Sequence, residues 1–136
     1  MSDLRAPVQR PTSPHLQIYR LTSTMLMSGL HRITGFVLYF GTVLLAWWLV
    51  SVASGPNAFA NAQWWLDTIV GRIVLLGYSW ALIHHALGGI RHLIWDTVHG
   101  LDPTDREWLS GANLVGSIGL TAILWVIFYM IAGGGS

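Results

Sequence analysis

Residues 84–96, HHALGGIRHLIWD, place three histidines, an arginine and an aspartate at the end of a long apolar run. Ionisable side chains in lipid are costly and usually functional. At 100° per helical residue, His85, a glycine pair and His92 share one face, whereas His84 lies about 100° away. About 10 Å of helix separates His85 from His92, with the glycines between them.

Glycines between two histidines on a membrane helix suit either of two uses. One is the close approach of another helix, with the histidines bonded to nearby hydroxyls or carbonyls. The other is room for a flat ligand such as haem, with one imidazole binding iron and the other meeting a propionate. His84 is an alternative iron ligand, but it has no glycine groove beside it. The third apolar run contains no histidine, so a partner subunit is expected to supply a second axial ligand.

A second polar face lies near the start of the first apolar run, in SGLHRITG. Ser28, His31, Arg32 and Gly35 follow the i, i+3, i+4, i+7 spacing of one helix face. Arg32 can neutralise a propionate or donate to a carbonyl oxygen of a lipid-soluble substrate, or it can simply snorkel to the interface. Asp96 fits a solvated cap or an arginine partner.

The composition indicates a membrane protein. Hydrophobic residues make up 53% of the 136 residues and charged residues 10%, against about 25% charged in soluble domains. The absence of cysteine excludes disulfides, iron–sulfur ligation and covalent haem attachment by this chain. A net charge of +1 gives no case for nucleic acid.

The apolar runs predict an all-α membrane protein with three transmembrane helices, because about 20 residues cross a bilayer. The predicted spans are about 29–54, 70–95 and 112–133, in a domain 28–134 that follows an extended cytoplasmic tail, 1–27. Arginines precede the first span and flank the second connection, which predicts the N-terminus inside and the C-terminus outside; they are Arg5, Arg10, Arg20, Arg32, Arg91 and Arg106. Both polar faces then lie near the inner surface.

The segments RPTSPHLQIY, SGLHRITG and HALGGIRHLIWDTV together resemble the signatures of the cytochrome b subunit of succinate dehydrogenase. The resemblance implies the larger of two membrane anchors of complex II, bundled with a second anchor subunit. It also implies a flavoprotein subunit that carries FAD and an iron–sulfur subunit that passes electrons to ubiquinone. Haem b would lie between the anchors, with one histidine from each. The implied location is a bacterial inner membrane, in preference to a mitochondrial one.

The resemblance also assigns residue roles. His85 matches the iron ligand, and His31, Arg32 and His92 match propionate contacts. Ser28 and Arg32 match the quinone site, with Asp96 nearby. No catalytic residue is assigned to this chain, which carries neither flavin nor iron–sulfur ligands.

Three alternatives remain at this point. The nearest is a fumarate reductase anchor, which runs the same chemistry backward with a low-potential quinone. The second is a stand-alone electron carrier whose haem is held within one chain by His31 and either His85 or His92. The third is a structural anchor without a cofactor. A transporter is disfavoured, because three spans are few and show no inverted repeat.

Overall fold

The computed structural model describes residues 13, 15, 18 and 20–133, and this part of the chain is almost entirely helical. Its helices are α1 (Ser23–Ala53), α2 (Pro56–Asp67), α3 (Ile69–Asp96) and α4 (Pro103–Gly133). Helices α1, α3 and α4 are long and apolar enough to cross a membrane, which confirms the predicted fold class. Most of the predicted tail lies outside the described residues, and α1 begins inside the stretch assigned to that tail.

Helix α2 occupies the connection between the first and second predicted spans, for which no helix was predicted. Gly55, with φ of +105°, turns the chain after α1, and Pro56 begins α2, where a missing N–H costs nothing. Thr68 ends α2 and caps α3 by accepting a hydrogen bond from the Gly71 backbone N–H at 3.0 Å. A side chain at Gly71 would collide with backbone carbonyls at the end of α2, so the corner requires glycine.

A short turn joins α3 to α4. Val98 and Gly100 take positive φ angles of 63° and 68°, and the Trp95 indole donates to the Gly100 carbonyl at 3.1 Å. Helix α4 then begins at Pro103, well before the predicted span at 112. Polar residues alone do not stop a helix, and Asp105 in the first turn complements the helix dipole.

Helix α3 lies between α1 and α4 and contacts both extensively. Along α1, Gly35 faces His85, and Gly41 farther along faces Tyr78. Because these partners run in opposite directions along the chain, α1 and α3 are antiparallel. The start of α1 and the end of α3 therefore lie at the same end of the bundle.

The bundle is polar inside and apolar outside. Only Met27, Ala62 and Ala81 are buried apolar side chains among the described residues, whereas large apolar side chains such as Phe36, 67% exposed, face outward. The buried polar side chains are Thr34, Ser51, His84, Arg91, Ser110, Asn113, Ser117 and Thr121. This inversion is that of a membrane protein, in which lipid contacts the apolar surface and small or polar residues join the helices.

Candidate functional site

The antiparallel packing of α1 and α3 brings the two predicted polar faces together at one end of the bundle. The imidazoles of His31 and His85 stack with ring centroids 4.0 Å apart and planes inclined by 25°. The His92 ring meets His31 edge-on at 5.3 Å. Three of the predicted site residues therefore form one cluster, which we call the imidazole cluster.

The His85 ring is held in one orientation by α1. Its Nδ1 lies 3.1 Å from the His31 backbone carbonyl and 3.4 Å from the Thr34 hydroxyl. The Thr34 hydroxyl donates to the Leu30 and His31 carbonyls. Because a carbonyl only accepts, His85 Nδ1 carries the hydrogen, and Nε2 keeps its lone pair. A ring held in this way is set up to bind a metal through Nε2.

The two glycines of the His85–His92 face behave differently. A side chain at Gly88 would collide with the His31 ring, whereas the space around Gly89 is open to 4 Å. Gly88 therefore allows α1 to approach α3 closely, which is the helix-packing alternative considered for this face. Gly35 is also tight, since a Cβ there would lie 3.0 Å from His85 Cε1.

The other predicted site residues lie on the surface near the imidazole cluster. Ser28 and Arg32 are exposed on α1, and Asp96 is exposed on α3, as is His92 of the cluster itself. Within the described part of the chain, Asp96 forms no ion pair; the carboxylate that does is Asp67, 3.8 Å from Arg72. Of the two alternatives considered for Asp96, the arginine partner is therefore absent among the described residues, and the exposed position fits a solvated residue.

His84 and Arg91 point to α4 instead of α1. His84 is fully buried, and its Nδ1 lies 3.2 Å from the Ser117 hydroxyl. Arg91 is buried, donates to the Ser110 hydroxyl at 3.2 Å and lies over the Trp95 ring at 5.0 Å. The sequence analysis did not anticipate this polar contact between α3 and α4. The sequence feature that could have indicated this contact is the i, i+3, i+7, i+11 spacing of small polar residues along α4, at Ser110, Asn113, Ser117 and Thr121.

An apolar groove of about 640 Å³ runs between α1 and α3 beside the imidazole cluster. Thr34 and Ala81 line its near end, Phe40 and Tyr78 its middle, and Leu44 its far end. Thr34 also contacts His85, so the groove adjoins the oriented imidazole. No group of three histidine, cysteine, aspartate or glutamate side chains that could hold a metal ion occurs within residues 20–133 or the other described positions.

Three membrane helices, each antiparallel to the next, with an imidazole cluster at one end define a class of helical membrane bundles. The family model described as succinate dehydrogenase/fumarate reductase transmembrane subunit matches residues 6–128, and the chain belongs to this family. It is 42% identical over 121 residues to the succinate dehydrogenase cytochrome b556 subunit of Paracoccus denitrificans, covering 89% of this chain and 93% of the relative. The cytochrome b560 subunit of Reclinomonas americana is 33% identical over 131 residues, covering 89% and 88%.

A mitochondrial relative extends the same similarity. The mouse succinate dehydrogenase cytochrome b560 subunit is 33% identical over 111 residues, which cover 78% of this chain and 63% of the mouse protein. The chain is therefore a membrane-anchor subunit of the succinate dehydrogenase cytochrome b type, as its motifs predicted.

Proposed function

We propose that this chain holds haem b together with a second anchor subunit and forms part of a ubiquinone-reduction site in a bacterial inner membrane. The orientation of His85 carries the proposal. Its Nδ1–H is committed to the His31 carbonyl, which leaves Nε2 as the nitrogen that can bind iron. A porphyrin supplies four nitrogens of its own, so one imidazole from this chain suffices, and a three-residue metal cluster is not required.

The residues around His85 fit a haem. The groove between α1 and α3 is apolar and suits a macrocycle. Arg32 and His92 are exposed near the imidazole cluster that the groove adjoins, and such side chains suit propionates. We assign the iron to His85 and the propionates to His31, Arg32 and His92. Haem b, when bound, accepts and returns one electron. Among the sources of the second ligand, the partner anchor is favoured, because the third membrane helix carries no histidine.

The imidazole cluster disfavours ligation by His31 and His85 within one chain. A haem held within this chain would have to fit between the imidazole of His31 and that of either His85 or His92. The His31 ring stacks on His85 at 4.0 Å and meets His92 at 5.3 Å, so neither pair leaves space for a macrocycle. The stand-alone carrier is therefore the weaker hypothesis.

Ser28 and Arg32 are proposed to bind the quinone. Both side chains are exposed on α1 next to the imidazole cluster, where a lipid-soluble molecule can reach them. The Arg32 guanidinium donates to one carbonyl oxygen and polarises it, and the Ser28 hydroxyl orients the ring. Electrons are supplied by succinate oxidation in the flavoprotein subunit, through its FAD and the clusters of the iron–sulfur subunit. The names of the relatives favour succinate dehydrogenase over fumarate reductase.

The test is the reduced-minus-oxidised visible spectrum of the purified complex, with succinate as reductant. His85→Ala is expected to remove or shift a b-type signal that the wild-type complex shows. His84→Ala is the matched control, since its ring faces Ser117 on α4 and should leave the signal intact. The reverse pattern would move the ligand to His84, and a wild-type complex without haem would refute the haem proposal.

A further inference from the structure

A second groove lies at the end of the bundle opposite to the imidazole cluster, between α2, α3 and α4. Its volume is about 370 Å³, and we call it the distal groove. Its walls are apolar side chains of α3 and α4, namely Leu75, Leu82, Leu124, Trp125 and Phe128. Its rim is polar and consists of Gln63 and Asp67 near the end of α2 and Arg72 near the start of α3.

The distal groove follows α3 through half of the membrane. Arg72, Leu75, Ser79 and Leu82 line it, and their spacing of i, i+3, i+7, i+10 places them on one helix face. The step from Arg72 to Leu82 advances about 15 Å along the helix. One leaflet contributes half of the roughly 30 Å hydrocarbon core. The distal groove therefore has the length of a single leaflet, with its charged rim at the membrane surface.

The interior of the distal groove suits a hydrocarbon chain. Its one hydroxyl on α3, that of Ser79, accepts from the Trp125 indole at 2.9 Å and donates to the Leu76 carbonyl at 2.9 Å. These hydrogen bonds satisfy the hydroxyl within the chain. The Leu82 and Phe128 side chains are 50% and 54% exposed, so the walls continue into the lipid-facing surface of the bundle.

The rim carries one positive and one negative charge in a loose pair. Arg72 Nη2 lies 3.8 Å from Asp67 Oδ1, and the two side chains are 52% and 54% exposed. The Gln63 amide donates to the other Asp67 oxygen at 3.4 Å. A guanidinium has five N–H donors and a carboxylate about four lone-pair sites, so both groups can take a further partner. The rim therefore offers donors for an anion beside acceptors for a cation.

The headgroup that matches this rim contains a phosphate and a primary ammonium. Arg72 continues the groove face of α3 and suits the phosphate, which lies next to the acyl chains in a phospholipid. Asp67 belongs to the rim alone and suits the ammonium, which lies farther from the chains. A choline headgroup has no N–H to donate to Asp67. An anionic headgroup brings no cation for Asp67 to bind.

We propose that the distal groove binds one phosphatidylethanolamine molecule of the adjoining leaflet. Its phosphate accepts hydrogen bonds from Arg72, its ammonium donates to Asp67, and one acyl chain fills the groove between α3 and α4. The bound lipid joins α2, α3 and α4 at the end of the bundle that lacks the imidazole cluster.

The test is native mass spectrometry of the intact complex, stripped of lipid by detergent exchange. The complex is titrated with phosphatidylethanolamine, phosphatidylcholine or phosphatidylglycerol of identical acyl chains. The wild-type complex should retain one phosphatidylethanolamine per copy of this chain most tightly. Arg72→Gln should weaken the binding of all three lipids about fivefold, as expected for partly exposed charges. Asp67→Asn should weaken phosphatidylethanolamine alone and remove its preference over phosphatidylcholine.

The matched control is Arg106→Gln, which removes an exposed arginine near the start of α4, at the other end of the bundle. It should keep the wild-type pattern of lipid binding. Equal retention of the three lipids by the wild-type complex, tighter retention of phosphatidylglycerol, or an equal loss in Arg106→Gln would overturn the proposal.

A structure of the intact complex in lipid nanodiscs that contain phosphatidylethanolamine identifies the occupant directly. The expected result is a two-chain lipid whose phosphate lies within about 3.2 Å of the Arg72 guanidinium. A segment of a partner subunit or a quinone in the distal groove would refute the proposal.

Discussion

The two adjacent glycines of α3 allow a matched test of how tightly α1 packs against the imidazole cluster. A Cβ at position 88 would lie 2.9 Å from His31 Nε2 and 3.4 Å from Cγ, and closer still to Cδ2. The His31 ring must therefore move in Gly88→Ala. In Gly89→Ala the new methyl group meets nothing within 4 Å.

The expected magnitude follows from comparing the two variants. Each replaces a glycine inside the same helix, and the gain in helix propensity, up to about 1 kcal/mol, cancels in the comparison. Forcing a methyl group into a packed site costs about 1–3 kcal/mol. Gly88→Ala should therefore have a free energy of unfolding about 1–3 kcal/mol below that of Gly89→Ala.

The assay is denaturation of the purified complex in mixed micelles of SDS and a mild detergent, followed by tryptophan fluorescence. A visible spectrum of each variant reports whether displacement of His31 disturbs its neighbour His85. If the two variants unfold within about 0.5 kcal/mol of each other, then α1 does not pack on Gly88 as described, and the close approach inferred from the His31 contact is refuted.

Two further substitutions test the quinone site and the corner between α2 and α3. Arg32→Ala should lower quinone reduction about tenfold to a hundredfold, because a charged hydrogen bond contributes about 1.5–3 kcal/mol. Succinate oxidation measured with an artificial acceptor should be unaffected. Unchanged quinone reduction would remove Arg32 from the site. Gly71→Ala should lower the thermal stability of the complex, because its methyl group would meet the backbone carbonyls of Trp65 and Leu66. Gly119→Ala is the control, because a methyl group there meets nothing within 4 Å. Equal melting of the two variants would contradict the required glycine.

Helix periodicity was sufficient to separate the two adjacent histidines of α3. A rotation of 100° per residue placed them on different faces, and in the structure His85 bonds α1 while His84 bonds α4. The three membrane spans could also be predicted from the sequence, because each depends only on the length and hydropathy of its own segment. Because successive spans alternate in direction, the number of spans alone predicted that the two polar faces lie at the same end of the bundle.

Features that depend on contacts between helices could not be predicted from the sequence in this way. The pattern around Gly88 allowed either a flat ligand or a neighbouring helix, and only packing shows that the His31 ring lies there. Helix α2 was missed because 12 residues of mixed polarity give a weak periodic signal. The polar face of α4 was missed because serine, asparagine and threonine are common in membrane helices and carry no charge to draw attention.

The buried position of Arg91 has a consequence for how the chain is inserted during synthesis. Helix α3 is the least apolar of the three spans, with a mean hydropathy of 1.4 against 2.0 and 2.2. Its arginine finds its hydroxyl partner Ser110 only on α4, which leaves the ribosome later. Until then α3 must enter lipid with an arginine that lacks its hydroxyl partner. The cost is below the roughly 3 kcal/mol of a charge at the helix centre, because Arg91 lies near the end of α3. Helix α4 therefore stabilises α3 in the membrane. A chain truncated before α4 is expected to retain α3 poorly in the bilayer.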